Sequence, residues 1–146
     1  MEEHQPILHR RIELPPGFLI EETVDLGGRD HTFTFGGDVR MGDLNGDGRV
    51  EFVVFRSAGG HKPCFIGAFD LEGKALWRFG EGGEQPLRPG PVAVYDIDGD
   101  GRDEVIAAFA PHDGGAAPDS CEDLRLIILD GATGTVRHEA VVKAIA

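Results

Sequence analysis

Two short acidic runs carry the chemistry of this 146-residue chain. Asp43-Leu44-Asn45-Gly46-Asp47-Gly48-Arg49-Val50-Glu51 recurs 53 residues later as Asp96-Ile97-Asp98-Gly99-Asp100-Gly101-Arg102-Asp103-Glu104, with six of the nine positions identical. Oxygen-bearing side chains at alternate positions of a tight loop suit a hard divalent cation, and calcium takes about six to eight such oxygens in a flexible shell. In the first loop Asp43, Asn45 and Asp47 offer side-chain oxygens, the carbonyl of Arg49 adds one from the backbone, and Glu51 completes the set. The same roles fall in the second loop to Asp96, Asp98, Asp100, the carbonyl of Arg102 and Glu104. Gly48 and Gly101 occupy the sixth position, where the turn is sharpest and a Cβ least welcome. The reading is two calcium ions in a structural role, because a loop that fills the shell with its own ligands leaves no open position for catalysis.

An EF-hand would place a bidentate Glu at the twelfth position and a helix on either side. Here that position holds Val54 in one loop and Ala107 in the other, and the flanking residues have no helical period. What positions the loops is β-structure. An apolar run precedes each loop (38–41 and 91–95), and a strand-like run follows each (52–55 and 105–109). After a polar, Gly-rich gap (57–63 and 111–123) comes a third run (65–69 and 124–129), which closes on Asp70 or Asp130 and a Gly-containing turn. A fourth run (74–79 and 135–138) leaves that turn. Four short strands repeated at about fifty residues describe a blade of a β-propeller or a module of another stacked β-array.

Residues 18–26 and 31–35 read as two further strands of a preceding, partial blade. The chain is therefore expected to be all-β, with residues 1–36 a partial N-terminal blade, 37–90 a blade with the first loop, and 91–146 a blade with the second. Two blades and a fraction cannot close a ring of about four to eight. Completion by more chain, by a homo-oligomer, or by capped ends of an open array remains open at this point.

The formal net charge of −12 opposes association with nucleic acid or anionic membrane and favours cations. No run approaches the roughly 20 apolar residues that span a bilayer. The start, Met1-Glu2-Glu3-His4-Gln5-Pro6, lacks the basic and apolar segments of a signal peptide, so the chain either stays inside the cell or begins after a removed leader. Cys64 and Cys121 each precede the third strand of a repeat; the favoured expectation is two free thiols.

The six histidines show no pair at metal-ligand spacing. Trp77 is expected to pack between blades, and Tyr95 to be buried beside the second loop. Arg49, Arg78, Arg88 and Arg102 are expected to pair locally among so many carboxylates. No nucleophile elbow, phosphate loop or Cys-x-x-Cys is present, and residues 80–83 lack the strand–helix context of a nucleotide site.

The two loops with their following strands resemble the FG-GAP/VCBS calcium repeats of integrin-type β-propellers. A longer stretch is similar to the calcium-rich propeller of bacterial rhamnogalacturonan lyases: Gly42-Asp43-Leu44-Asn45-Gly46-Asp47-Gly48-Arg49-Val50-Glu51-Phe52-Val53-Val54, then Ala68-Phe69-Asp70-Leu71-Glu72-Gly73-Lys74-Ala75-Leu76-Trp77-Arg78-Phe79, then Val94-Tyr95-Asp96-Ile97-Asp98-Gly99-Asp100-Gly101. That resemblance implies a secreted or periplasmic, carbohydrate-linked setting and kinship with eight-bladed enzymes that cleave pectin backbones by β-elimination. Three functions follow as expectations. The favoured one is a calcium-binding propeller module for binding or scaffolding, with a polysaccharide or protein ligand and no catalysis by this chain alone. The second is a fragment or relative of a polysaccharide lyase, and the third an intracellular repeat protein for protein–protein interaction.

Overall fold

The computed structural model describes residues 11–15, 18, 21–25, 30–34, 39–56, 65–80, 84–86, 92–111 and 124–142. Every regular element among them is a strand. A hairpin of β1 (Glu21–Asp25) and β2 (Asp30–Thr34) comes first. β3 (Val39–Gly42), β4 (Glu51–Arg56), β5 (Phe65–Phe69) and β6 (Ala75–Phe79) then form an antiparallel meander in chain order. The second sheet contains β7 (Glu84–Pro86), β8 (Val92–Tyr95), β9 (Glu104–Pro111), β10 (Leu124–Leu129) and β11 (Val136–Val142).

In that second sheet β8, β9, β10 and β11 repeat the four-stranded meander, and β7 is an addition. One edge of β9 takes β8 along residues 104–107 and β7 along residues 109–111. β7 was not legible as a strand, because three residues ending in proline show no alternation. The residues of the two gaps (57–63 and 112–123), residues 87–91 with Arg88, both cysteines, and His4, His9, His61 and His112 lie outside the described residues.

Strand alternation builds the core. Val53, Ile66, Ala68 and Trp77 of the first sheet face Val92, Val105, Ala107, Ile127 and Leu129 of the second, and Leu44 of the first loop joins them. The adjacent residue on β4, Val54, points the other way and packs with Phe65, Phe69 and Phe18. The segment carrying Ile12, Leu14 and Phe18 thus covers the outer face of the first sheet. Phe18 lies edge-on to Phe65 and Phe69 at 5.4 and 5.9 Å. It closes over Gly67, where an added Cβ would meet its ring at 2.6 Å. The opposite face of the second sheet exposes Tyr95 (66%) and Leu126 (40%).

Trp77 ties the sheets together at two points. The Trp77 indole N–H donates to the carbonyl of Gly131 at 2.7 Å in a buried position. The ring also lies so close to Gly134, itself at φ 69°, that a Cβ there would meet it at 2.5 Å. Trp77 packs between the blades as its size and amphipathic edge suggest. Tyr95 does not follow its expectation. On β8 it alternates with Val92 and Val94, which face the core, so the pleat turns its side chain to the open face.

Candidate metal centres

Each acidic loop spans the turn between two paired strands, β3 to β4 and β8 to β9. Within each, the first carboxylate organises the backbone. Asp43 Oδ1 accepts the amides of Gly46 (2.8 Å) and Asp47 (3.0 Å), and its Oδ2 accepts that of Gly48 (2.8 Å). Asp96 does the same for Gly99 (2.7 Å), Asp100 (3.2 Å) and Gly101 (2.9 Å). The glycines at the fourth and sixth positions of both loops adopt positive φ of 78–88°, which frees the chain to curl its amides inward. The third and fifth residues each accept the amide two residues on: Asn45 from Asp47, Asp47 from Arg49, Asp98 from Asp100, and Asp100 from Arg102. Two copies of one backbone geometry result.

The glutamates that close the loops are buried, Glu51 at 4% exposure and Glu104 at 1%. Each reaches back across its loop. Glu51 Oε2 accepts the Leu44 amide at 2.8 Å, and Glu104 Oε2 accepts the Ile97 amide at 3.0 Å. Their remaining oxygens differ. Glu51 Oε1 accepts the Asn45 side-chain amide at 3.2 Å. Glu104 Oε1 instead meets the Arg137 guanidinium, whose other nitrogen donates to Asp98 Oδ2 at 2.8 Å. Burial pushes the Glu51 carboxyl above its ordinary range; the Leu44 amide opposes this in part, and Asp47 and Asp43 add to the rise.

In the second loop Asp96, Asp98 and Glu104 each place a carboxylate oxygen within 4.8 Å of the other two, an arrangement able to hold a metal ion. Asp100 stands outside that trio. Its carboxylate is held by Arg102, at 2.6 Å, which keeps it below the usual carboxylate range. In the first loop Asn45 replaces one acid, and Asp43, Asn45, Asp47 and Glu51 surround the same turn. The hard-oxygen donors and the buried, inward-turned glutamates suit a divalent ion of the calcium type. Like unit charges 4 Å apart repel by about 4 kcal/mol at the effective dielectric of a protein surface, so such a cluster calls for a cation.

Arg49 pairs with Glu72 at 2.9 Å and Arg102 with Asp100, as local pairing predicts, and Arg78 lies over the Phe65 ring at 3.9 Å. Two site residues were missed by reasoning from the motif. Asp103, at the eighth position of the second loop, donates its amide to the Asp43 carbonyl (2.8 Å) and accepts the Asp43 amide on Oδ2 (2.9 Å). It stitches the two loops together; the one signal was an acid where the first loop has Val50. Arg137, 33 residues beyond Glu104, announces itself only when the hairpins are aligned by strand register.

No protein-family model matches the chain. Among curated proteins it is similar to the rhamnogalacturonan endolyase YesW of Bacillus subtilis (strain 168), with 32% identity over 96 residues covering 57% of this chain and 15% of that one. It is also similar to the rhamnogalacturonan exolyase YesX of the same strain, with 31% identity over 96 residues and the same coverage. The crystal structure of exotype rhamnogalacturonan lyase YesX superimposes with a TM-score of 0.61 and 20% identity, over 90% of this chain and 26% of that chain. The chain thus spans about a seventh of the length of the curated relatives it matches, and its fold is that of a segment of such a protein.

Proposed function

We propose that this chain is a calcium-stabilised propeller segment of a relative of the rhamnogalacturonan-acting polysaccharide lyases. The observation that carries this reading is the sequence similarity to two such lyases together with the matching fold. The acidic loops support the calcium part. Their oxygen donors are arranged alike in both copies, and each ends in a buried glutamate. We assign the ions to Asp43, Asn45, Asp47, the Arg49 carbonyl and Glu51, and to Asp96, Asp98, Asp100, the Arg102 carbonyl and Glu104. This extends the FG-GAP/VCBS type of repeat to both blades, with boundaries near residues 37 and 91.

A bound calcium ion supplies positive charge and directional oxygen coordination. What the chain contributes is a rigid turn at the end of each blade, held by the amides that Asp43 and Asp96 gather. The role proposed for the described residues is to shape and stiffen a surface for polysaccharide. An extracellular or periplasmic setting, where calcium is plentiful, fits this reading. Among the described residues no helix is long and apolar enough to cross a membrane.

The test is electrophoresis of the purified chain through native gels containing rhamnogalacturonan or a neutral glucan, with calcium present. Retardation by rhamnogalacturonan alone is the expected result. Equal migration in both gels would refute the polysaccharide reading and leave the calcium loops as an independent question. Release of unsaturated product by this chain, seen as rising ultraviolet absorbance, would move catalysis into the segment.

A further inference from the structure

The strands of the two hairpins that close the blades can be aligned by register, although the second turn is one residue longer (130–135 against 70–74). Phe69 pairs with Ala75 in the first, and Leu129 pairs with Val136 in the second. Each has its register shift one step before that pair, between Ala68 and Phe69 or between Ile128 and Leu129. Asp70 and Asp130 begin the two turns alike, donating their amides to the carbonyls of Lys74 (3.0 Å) and Thr135 (2.8 Å). By this register Leu76 of β6 and Arg137 of β11 are equivalent residues.

Their surroundings differ accordingly. Leu76 lines a cavity of about 110 Å³ between the first loop and its hairpin, together with Asn45, Asp47, Glu51, Asp70 and the Arg49–Glu72 ion pair, whose guanidinium is turned to Glu72 and not to Glu51. In the second blade the Arg137 guanidinium reaches the loop from that same place and bonds both Glu104 and Asp98. Asp98 is also one of the two positions where the loops differ in charge, since the first has Asn45 there and Val50 where the second has Asp103. The extra acid and the arginine therefore come together: the first ligand set has three carboxylates and an amide, and the second has four carboxylates, of which Arg137 holds Glu104 and Asp98 while Arg102 holds Asp100.

Resting on the calcium reading above, we infer that Arg137 is a built-in counter-cation that competes with calcium for the second loop, so that the two loops bind the ion with unequal strength. Glu104 and Asp98 must give up their guanidinium bonds before both can turn to a metal. In the first loop the corresponding contact is a neutral amide, Asn45 to Glu51, and no cation has to be displaced from Glu51. The first loop is the calcium-demanding one. The second keeps part of its order through Arg137 when calcium is scarce. Displacing a charge-assisted pair of this kind weakens binding by roughly tenfold.

The test is isothermal titration of calcium chloride into the chelator-stripped full chain, in the native sequence and in Arg137→Leu, Leu76→Arg and Asp47→Ala. The native protein should show two affinities about tenfold apart, with the tighter one lost in Asp47→Ala. Arg137→Leu should bring the weaker site close to the tighter, and Leu76→Arg should weaken the tighter site. Unchanged affinities in Arg137→Leu would overturn the inference while leaving the calcium reading intact. If that variant does not fold, Leu76→Arg decides alone, and an unaltered tight site in it is equally fatal. Heat of calcium binding absent from the native protein and every variant would remove the calcium reading, and this inference with it.

Discussion

The first and second acidic loops share a backbone and differ in what neutralises them. In both, one aspartate gathers three amides and a buried glutamate folds back over the loop. Around Glu51 the partners are neutral, an amide side chain and a backbone N–H. Around Glu104 one partner is a guanidinium. A repeated motif thus fixes where the donors are, while the strand beside it fixes how much charge they leave uncompensated. The difference teaches that copies of an acidic loop are not equivalent merely because their oxygen donors align.

The comparison presumes that both loops sit on one folded unit, and Trp77 is the residue on which that depends most. Trp77→Ala removes a large buried ring and orphans the Gly131 carbonyl, and should cost about 3–5 kcal/mol in chemical denaturation. Loss of much less would mean the blades hold together without it. The next largest effect separates the loops directly. In chelator, Glu104→Gln should cost about 1–3 kcal/mol, because Arg137 loses a charged partner at a buried position. Glu51→Gln should stay within about 1 kcal/mol of the native protein, since burial disfavours its charge and its partners are neutral. Equal costs would erase the distinction.

Smaller still is the stitch between the loops. Asp103→Ala removes the acceptor for the Asp43 amide and should cost about 1–2 kcal/mol, read by the same denaturation. The smallest effect concerns the outer edge of the second blade, where Arg125 holds the Glu139 carboxyl below its ordinary range. A depressed carboxylate stabilises the fold above its unfolded pKa and loses that contribution as pH falls through its folded value. Glu139→Gln should therefore lower the melting temperature slightly at neutral pH and coincide with the native protein in acid. A difference that grows on acidification would have the wrong sign.

Much of this was legible in the residues. The all-β repeat followed from short apolar runs punctuated by Asp and Gly, and β5 and β10 fall on the runs expected at 65–69 and 124–129. The loops stood out because oxygen donors at alternate positions with two glycines form a local pattern that needs no tertiary information. What stayed hidden was non-local. Tyr95 looked like a core aromatic, yet its facing depends on which side of β8 meets the first sheet. Arg137 and Asp103 act across 33 and 60 residues, and their partners are set by strand register and sheet packing rather than by the motif. β7 forms only because the long β9 offers an edge beyond β8.

The claim that carries the rest is that these loops hold calcium. It is tested most directly by melting the full chain in excess chelator and again in calcium at about a hundredfold over the weaker site's dissociation constant. Each occupied site should then add at least about 2.7 kcal/mol, which for a chain of this size raises the midpoint by roughly 5 °C or more, reversibly on chelation. Superimposable melting curves in calcium and in chelator would contradict the account.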